Sequence, residues 1–311
     1  MSETEVYYGT IPCQGTTGKG TECTNKAYFK VKDEHLCGVH SKKCTNRVEL
    51  PKNPQRGKQK EEKLEEENVE IERYRQKNVK KGLRGKVTCV KMRMMSEVEY
   101  LPGYLRVFPN FKHENRKDGF GCKSLSPMSL GPIEHGQPGL PDSLNLENFH
   151  QGDKKFEFET MKEFKKKRKE MYLDLVPHRH KYDRALLKKQ NDNINVPECS
   201  IFRDEEGEDK CYTYIQSRYF YCHFYELLAK QTKCYTELRE MLQDGYNLAI
   251  FGYDAYPPSD DIYSDYKDPA RPFGHELVLF CLLNIEEPSE YPWNIYYRKH
   301  KKLYPGYLAP Q

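Results

Sequence analysis

The distribution of apolar residues along the chain is the feature that most restricts its fold. Residues 96–311 contain most of the apolar side chains and are the only segment that can build a sizeable hydrophobic core. Residues 51–95 are dominated by charge, and residues 1–50 are short and rich in Gly and Thr. Apolar residues make up 37% of the 311-residue chain, below the roughly 45–50% that is typical. The sequence therefore predicts a small N-terminal module over 1–50, a charged linker helix over 51–95 and one main domain over 96–311.

Signals for secretion and membrane insertion are missing from the sequence. No stretch approaches the roughly 18 consecutive apolar residues that span a bilayer, and the N-terminal MSETE is acidic and lacks an apolar region. These features predict an intracellular protein without a membrane partner, whose 11 cysteines are metal ligands or small core residues rather than disulfides. A net charge of +4 (51 Lys and Arg minus 47 Asp and Glu) excludes a surface that is basic throughout.

The linker combines an acidic first half with a basic second half. Between Lys52 and Arg93 there are 14 basic and 7 acidic residues, which gives a local net charge of +7. Acidic residues at the start of a helix and basic residues at its end complement the helix dipole, and glycine commonly ends helices. The sequence therefore predicts an exposed helix over 58–81 that stops at Gly82. Its basic end is more typical of a solvated face than of a nucleic-acid contact.

Hydrophobic periodicity predicts helices and one buried strand in the main domain. Apolar positions recur at helical spacing over residues 161–171 and, more strongly, over one long segment from 215 to 243 that Gly245 ends. Residues 247–251 predict a short buried strand. The nearly continuous apolar run 277–283 fits either a buried helix or a strand, because its length does not separate the two.

The spacing of cysteine and histidine predicts a zinc site in the N-terminal module. Cys13, Cys23, Cys37 and His40 are separated by nine, thirteen and two residues. Three thiolates and one imidazole form a closed tetrahedral zinc shell, and a segment this small needs the metal in order to fold. Cys44 is a rival fourth ligand, and loosely ordered free thiols are the alternative to a metal. Since four protein ligands leave no open position, the predicted Zn²⁺ is structural and the module serves in targeting or partner binding.

A polar face is predicted on a short helix that begins near Asn145. On a helix that turns 100° per residue, Glu147, His150, Gln151 and Lys154 fall within about 100° of arc, while two phenylalanines point the opposite way. The face therefore holds a carboxylate, an imidazole, a carboxamide and an ammonium group. This pattern is typical either of a solvated amphipathic helix or of a site with an acid/base carboxylate and a usable amine.

The segment around this helix resembles a known family signature. The run ENFHQGDKKF over 147–156 is similar to the signature of the NADAR (YbiA-like) family, in which a Glu, a Gln and a Lys recur at these offsets. Residues 224–254 resemble that family's long helix, its Leu-rich turn and its Asp followed by an aromatic residue, and GHEL over 274–277 resembles its closing helix. Two features depart from the family: AYP over 255–257 replaces its Trp-Gly, and residues 173–212 resemble an insertion.

The same stretch, from Leu125 to Trp293, looks closer still to an uncharacterised group of giant DNA virus proteins. The shared runs are LGP (130–132), HGQPGLP (135–141), PHRHK (177–181), GYDAY (252–256) and RPFGHELVL (271–279). The N-terminal module also resembles small Cys/His modules of large DNA viruses. For a viral protein the expected location is the host cytoplasm or the virion.

The resemblance implies an α-rich (α+β) fold and N-glycosidase activity. NADAR proteins are α-rich single domains, and members cut ribosyl C–N bonds in riboflavin-pathway intermediates or in ADP-ribose attached to guanine. Carried over by motif, Glu147, Lys154 and Asp254 form the catalytic set. A carboxylate stabilises positive charge at the anomeric carbon, and a positioned acid protonates the departing base. A lysine can add to the anomeric carbon of an opened ribose as a Schiff base.

Other residues are candidates for holding the ligand. The expected substrate-binding residues are His150, Gln151, Arg218, Tyr253, Arg271 and His275. Arginine suits bidentate contacts to a pyrophosphate, although these arginines are equally typical of structural ion pairs. The pair His178 and His180 fits a phosphate or metal contact, but a His-x-His run is more typical of a solvated loop.

Two functions are therefore open at the level of the sequence. The first is hydrolysis of the ribosyl C–N bond of a nucleotide or of an ADP-ribosylated nucleobase or nucleic acid. The second is a non-enzymatic viral structural or interaction protein, such as a virion component, that uses the same fold to bind nucleic acid or a viral protein. A concave polar pocket around Glu147 and Lys154 favours the first, and a pocket filled by Tyr253, Tyr256 or the insertion favours the second.

Overall fold

The computed structural model of the chain describes residues 6–93, 98–178 and 197–308. These residues belong to two compact units, Met1–Glu67 and Asn68–Gln311. Helices and short strands are mixed throughout the described residues, which confirms an α+β class in broad terms. No helix among them combines the length and the apolar character needed to cross a bilayer.

The first unit is built around a small antiparallel sheet. Strands β1 (Phe29–Val31), β2 (Glu34–Leu36) and β3 (Val48–Glu49) pair in the order β2-β1-β3. Among the described residues of this unit, the buried apolar side chains other than cysteine are Ala27, Leu36 and Leu50. Hydrophobic burial on this scale is too small to stabilise an independent fold.

A long helix, α1 (Pro54–Lys80), follows the sheet and begins in the first unit and ends in the second. The helix predicted over 58–81 is confirmed, and it starts earlier because the fixed φ of Pro54 suits the first turn. It ends at Lys80, two residues before Gly82, which has φ +65°, a conformation that glycine adopts without strain. Near this end Asn78 donates from Nδ2 to the carbonyl of Gly245 at 2.9 Å, so the last turns of α1 pack within the second unit.

A four-stranded parallel sheet is the centre of the second unit. Its strands are β4 (Val87–Lys91), β5 (Tyr104–Phe108), β6 (Phe120–Gly121) and β10 (Asn247–Gly252), in the order β4-β10-β5-β6. The buried strand predicted over 247–251 is confirmed as β10, which lies between two neighbours and is buried at every position. The structure differs from the expected 51–95 linker helix, because β4 lies inside that segment and pairs with β10.

A second, antiparallel sheet lies elsewhere in this unit. It is formed by β7 (Lys154–Lys155), β8 (Cys199–Arg203) and β9 (Asp209–Tyr212), with β8 in the middle. Strands β8 and β9 form a hairpin, and both fall in the segment 173–212 that the resemblance marks as an insertion. Residues 173–212 therefore supply two of the three strands of this sheet.

Seven further helices lie among the described residues of the second unit. They are α2 (Leu146–Gly152), α3 (Met161–Tyr172), α4 (Tyr214–Ala229), α5 (Lys233–Gln243), α6 (Ile262–Lys267), α7 (His275–Asn284) and α8 (Pro292–His300). The prediction of a single long helix over 215–243 is wrong, because α4 ends at Ala229 and α5 begins after its N-cap residue, Thr232. The Thr232 side chain accepts a hydrogen bond from the backbone N–H of Tyr235. The ambiguous run 277–283 is helical, and every residue of that run is buried in α7.

Buried tyrosines hold the core of the second unit together. Helix α7 contacts both α4 and β4, so the core lies between the parallel sheet and these helices. Tyr219, Tyr225 and Tyr235 are buried, and their hydroxyls donate to the carbonyls of Leu308, Leu125 and Leu282 at 2.6, 2.9 and 3.1 Å. Each ring fills apolar space while its hydroxyl satisfies a distant segment of backbone.

Candidate functional site

The polar face predicted near residue 147 is carried by α2 and β7. Asn145 caps α2, because its Oδ1 accepts the backbone N–H of Asn148 at 2.8 Å. The helix ends at Gly152, so Lys154 lies on β7 rather than on the helix as its spacing predicted. The side chains nevertheless form a row: Gln151 Nε2 donates to Glu147 Oε1 at 3.2 Å, and Lys154 Nζ donates to Gln151 Oε1 at 3.0 Å.

The opposite face of α2 carries Phe149, as its spacing predicted, whereas Phe156 lies beyond the end of the helix. Phe149 is buried, and its ring centre lies 5.1 Å from that of Phe224 in an edge-to-face arrangement. His150 lies at the side of the polar face, with its ring centre 4.8 Å from that of Tyr221. The four predicted polar residues on α2 and β7 are all half-buried, so the row sits at the boundary between core and solvent.

A second group of polar residues lies where β10 ends. Gly252 closes the strand, and a Cβ added there would lie 1.9 Å from Oε1 of Glu276. A Cβ added at Gly274 would lie 3.0 Å from Oε2 of Glu276 and 3.7 Å from the Cβ of Asp254. The glycines therefore let Glu276, at the start of α7, approach the end of the central strand close to Asp254. Ligands of open parallel sheets bind at this carboxyl end of the strands.

Buried Tyr221 connects the two groups electrostatically. Burial raises the pKa of its hydroxyl well above the usual value, and the negative charges of Glu147 and Glu276 raise it further. Both carboxylates therefore lie within electrostatic range of one phenol, although they come from α2 and α7. Glu276 and Tyr221 were not predicted, because nothing in their spacing marks them out. Only the fold brings them towards Glu147.

His275 and Glu276 leave polar atoms unpaired at this place. His275 Nδ1 lies 3.2 Å from Glu276 Oε2, an ion pair when the imidazole is protonated. Glu276 is 2% exposed, yet within the described part of the chain its Oε2 has no hydrogen-bond partner, and neither has His275 Nε2. Burying such atoms is costly unless something pairs with them. They are therefore the atoms of this region best prepared to bind a polar ligand.

Known proteins give no independent indication of what this site does. Protein families, curated proteins and solved structures contain no match to the chain.

Two predicted ligand-binding residues, Arg218 and Arg271, are placed differently from the expectation. The Arg218 guanidinium is buried and donates to the carbonyls of Tyr266 and Arg271. Arg271 itself donates to Asp265 at 2.6 Å and to the carbonyl of Pro257. Both arginines therefore donate their hydrogen bonds to groups of the protein's own loops. This is the structural role that the sequence left open for them. Tyr253 is 44% exposed, and its nearest aromatic contact is His113 at 6.2 Å.

A buried ionic cluster behind the polar face was not predicted. Tyr172 donates from its hydroxyl to Asp153 Oδ2 at 2.7 Å, and Arg168 Nη1 lies 3.8 Å from Asp153 Oδ1. Arg168 also pairs with Asp209 at 3.0 Å. Burial raises the pKa of Asp153 to about 7, although Arg168 and Tyr172 favour its charged form. The sequence feature that could have indicated this cluster is Arg168, a charged residue on the otherwise apolar face of the predicted 161–171 helix.

The first unit brings together the four predicted metal ligands. The ligand atoms of Cys13, Cys23, Cys37 and His40 all lie within 4.8 Å of one another. The Cys23 and Cys37 sulfurs are 4.0 Å apart, and His40 Nδ1 lies 3.2 Å from the Cys13 sulfur and 3.5 Å from that of Cys37. The prediction that these four converge is confirmed. Cys44 is outside the cluster, with its sulfur 3.9 Å from the carbonyl oxygen of His40.

The surroundings of the cluster favour ionisation of Cys37, whereas burial raises the pKa of Cys13 above its usual value. Burial opposes ionisation of Cys37, but the backbone amides of His40 and Val39 outweigh it and lower its pKa to about 6. The backbone amides of Cys37 and Gly15 also donate to the Cys13 sulfur, at 3.1 and 3.4 Å. A Cβ at Gly15 would lie 2.6 Å from His40 Nδ1, so only glycine leaves room for that ring. Thiolates, imidazole and amide support are the donor set of a zinc site.

The two histidines of the predicted His-x-His pair lie at or beyond the edge of the described residues. His178 Nε2 contacts Asp174 Oδ2 at 2.6 Å, and its backbone N–H donates to Asn148 Oδ1 at 2.7 Å. These contacts attach the segment after α3 to α2. His180, the second histidine of the predicted pair, lies outside the described residues.

Proposed function

We propose that the chain is an N-glycosidase-like hydrolase that cuts a ribosyl C–N bond in a nucleotide or in an ADP-ribosylated nucleobase or nucleic acid. The proposal joins the resemblance of residues 147–156 to the NADAR signature with the arrangement of polar groups at the end of β10. The observation that carries it is the buried carboxylate of Glu276, which lies against Gly252 and Gly274 near Asp254 and whose Oε2, beside His275, makes no hydrogen bond within the described residues.

The arrangement suits the chemistry of this reaction. Cleavage builds positive charge at the anomeric carbon, and Glu147 and Asp254 supply carboxylates that stabilise it. The departing base takes up a proton, which a protonated side chain at the site donates, and water adds to the ribosyl carbon. Gln151 fixes Glu147 and Lys154 relative to each other through its two hydrogen bonds. Lys154 is available either to donate that proton or to add to an opened ribose.

The test is incubation of the purified chain with ADP-ribosylated guanine, with riboflavin-pathway nucleotide intermediates and with plain nucleosides. Release of the free base is followed by liquid chromatography. Glu147→Gln and Asp254→Asn are expected to lower turnover by roughly 10²–10⁴-fold, the range of one acid–base group. Glu157→Gln and Asp260→Asn are matched controls at exposed positions and are expected to retain turnover.

The outcomes separate the enzyme from the binding protein. Release of base that depends on Glu147 and Asp254 supports the hydrolase. Binding of ADP-ribose without release by a folded chain supports the non-enzymatic interaction protein instead. Turnover that survives both substitutions would show that these carboxylates do not carry the reaction.

We also infer that Cys13, Cys23, Cys37 and His40 hold one structural Zn²⁺. The support is the closeness of the four ligand atoms and the small apolar core of the first unit. The bound ion would add the free energy that hydrophobic burial does not provide there. With four protein ligands it has no position for substrate, so its role is to stabilise a surface for targeting or partner binding.

A further inference from the structure

Two cysteines outside the metal cluster and the proposed catalytic site face each other across a hairpin. Ser200 of β8 pairs with Tyr212 of β9, and Ile201 pairs with Cys211. Side chains alternate along a strand, so this register puts Cys199 and Cys211 diagonally opposite on the same face of the sheet. Their sulfurs are 2.8 Å apart.

The pair differs from the other cysteines in its access to solvent. All 11 cysteines lie in described residues, and Cys211 is the one that is exposed, while Cys199 beside it is half-buried. Cys89, Cys122, Cys222 and Cys281 are buried in the second unit. Reagents in solution therefore reach Cys211 first, and its partner is already within reach.

A basic group stands next to both sulfurs. Lys155 of β7 pairs with Cys199 of β8, and its ammonium contacts Glu198. The contact with Glu198 raises the pKa of Lys155, and both cysteines add to this effect. The ammonium group therefore lies within electrostatic range of the two sulfurs. Burial and the neighbouring Cys211 nevertheless raise the pKa of Cys199 to about 12, so the exposed Cys211 is the thiol that reacts first.

A metal site does not explain the pair. Within the described residues, the one group of three or more potential ligands that converges is the Cys/His cluster of the first unit. Among the residues that the structure describes, Cys199 and Cys211 have no third ligand of that kind, and two thiolates do not complete a zinc shell. Their chemistry is therefore that of two neighbouring thiols.

We propose that Cys199 and Cys211 are a reversible redox modification site that forms an intramolecular disulfide on exposure to a peroxide. The Cys211 thiolate attacks one oxygen of hydrogen peroxide and the O–O bond breaks, so that Cys211 becomes a sulfenic acid and the departing hydroxide takes up a proton to give water. The Cys199 sulfur then attacks the sulfenic sulfur and displaces a second water. Overall two thiols and one peroxide give one disulfide and two waters, and a dithiol reductant reverses the step.

The sequence makes the product easy to identify. Trypsin cleaves after Lys189, Arg203, Lys210 and Arg218, so Cys199 falls in the peptide 190–203 and Cys211 in the peptide 211–218. A disulfide joins these two peptides into one species that is two hydrogen atoms lighter than their sum. Neither peptide contains another cysteine, so the linkage is unambiguous.

The experiment treats the full-length, zinc-supplemented chain with hydrogen peroxide, blocks free thiols and maps tryptic peptides by mass spectrometry without reduction. We expect the linked pair to form before any other disulfide and to disappear on addition of dithiothreitol. In Cys199→Ser, Cys211 is expected to stop at a sulfenic acid that dimedone traps. In Cys211→Ser, the peptide 190–203 is expected to lose its sensitivity to peroxide.

Cys234→Ser is the matched control, because Cys234 is a half-buried cysteine on α5 rather than on the hairpin. It is expected to leave formation of the linked pair unchanged. The proposal is overturned if both thiols remain alkylatable while others oxidise, if Cys211 goes directly to a sulfinic acid, or if the bond formed joins two chains. Circular dichroism of each variant checks that the fold is retained.

Discussion

Asp153 is fully buried beside Arg168, and its carboxyl is protonated over a wider pH range than an exposed carboxyl. Its folded pKa is about 7, against about 3.9 in an unfolded chain. Between these values the folded state binds the proton and the unfolded state does not. The free energy of unfolding therefore falls as pH rises from about 4 to about 7, at up to about 1.4 kcal/mol per pH unit.

Asp153→Asn is expected to remove this contribution while keeping an acceptor for the Tyr172 hydroxyl. The decline in unfolding free energy between pH 5 and pH 7 should become shallower by roughly 1 kcal/mol per pH unit. Urea titrations at several pH values measure the slope. Asp142→Asn, an exposed aspartate before α2, is the control and should leave the slope unchanged. Equal slopes for the wild type and Asp153→Asn would mean that Asp153 is already ionised when folded.

The break between α4 and α5 shows how an element boundary depends on a few polar contacts. Apolar periodicity continues across residues 230–232, which is why the sequence predicts one helix there. Thr232 ends that continuity, because its hydroxyl donates to the carbonyl of Ala229 and accepts the backbone N–H of Tyr235. Capping by one side chain therefore decides where α5 begins.

Thr232→Ala is expected to lower the free energy of unfolding by about 0.5–2 kcal/mol, the usual loss for an N-cap. Chemical denaturation measures the change. Thr236→Ala, at an exposed position inside α5, is the matched control and should be neutral or slightly stabilising because alanine favours the helix. Similar losses for both variants would contradict a capping role for Thr232.

Elements with strong local signals were predictable, and those defined by distant partners were not. Strand β10 was predicted because its apolar run is continuous, and α1 because charge and Gly82 mark it. Strands β4 and β5 were missed, since each is short and carries a polar residue that breaks the pattern. In the site, spacing alone placed Glu147 near Gln151. The approach of Glu276 to Gly252 depends on β10 and α7 packing together.

Considered as a whole, the molecule consists of two units that are stabilised in different ways. The second unit has an extensive core around Trp293, Tyr225 and the central strand. The first unit has four clustered ligand atoms and few buried apolar side chains among its described residues. Metal removal is therefore expected to act on one unit and not on the other.

Treatment of the full-length chain with a zinc chelator is expected to increase amide exchange across β1, β2 and residues 37–40. Exchange in β10 should stay slow, because that strand is buried in its own core. Hydrogen–deuterium exchange with mass spectrometry measures both regions at once. Elemental analysis should find one zinc per chain in Cys44→Ser and none in Cys23→Ser. Unchanged exchange over 37–40 after chelation, or zinc bound to Cys23→Ser, would refute a structural metal there.

The position of β10 in the parallel sheet also has a consequence for synthesis of the chain. Val87 of β4 pairs with Leu248 of β10, which lies 161 positions later (248 − 87). Strands β4 and β5 are not bonded to each other, so both leave the ribosome before the strand that joins them exists. During that interval the edges of β4 and β5 that later pair with β10 are exposed, and strand pairing over such a separation in sequence is slow. Nascent chains that stop before residue 247 therefore lack the strand that joins β4 to the β5–β6 pair, and protection by a chaperone matters most in that interval.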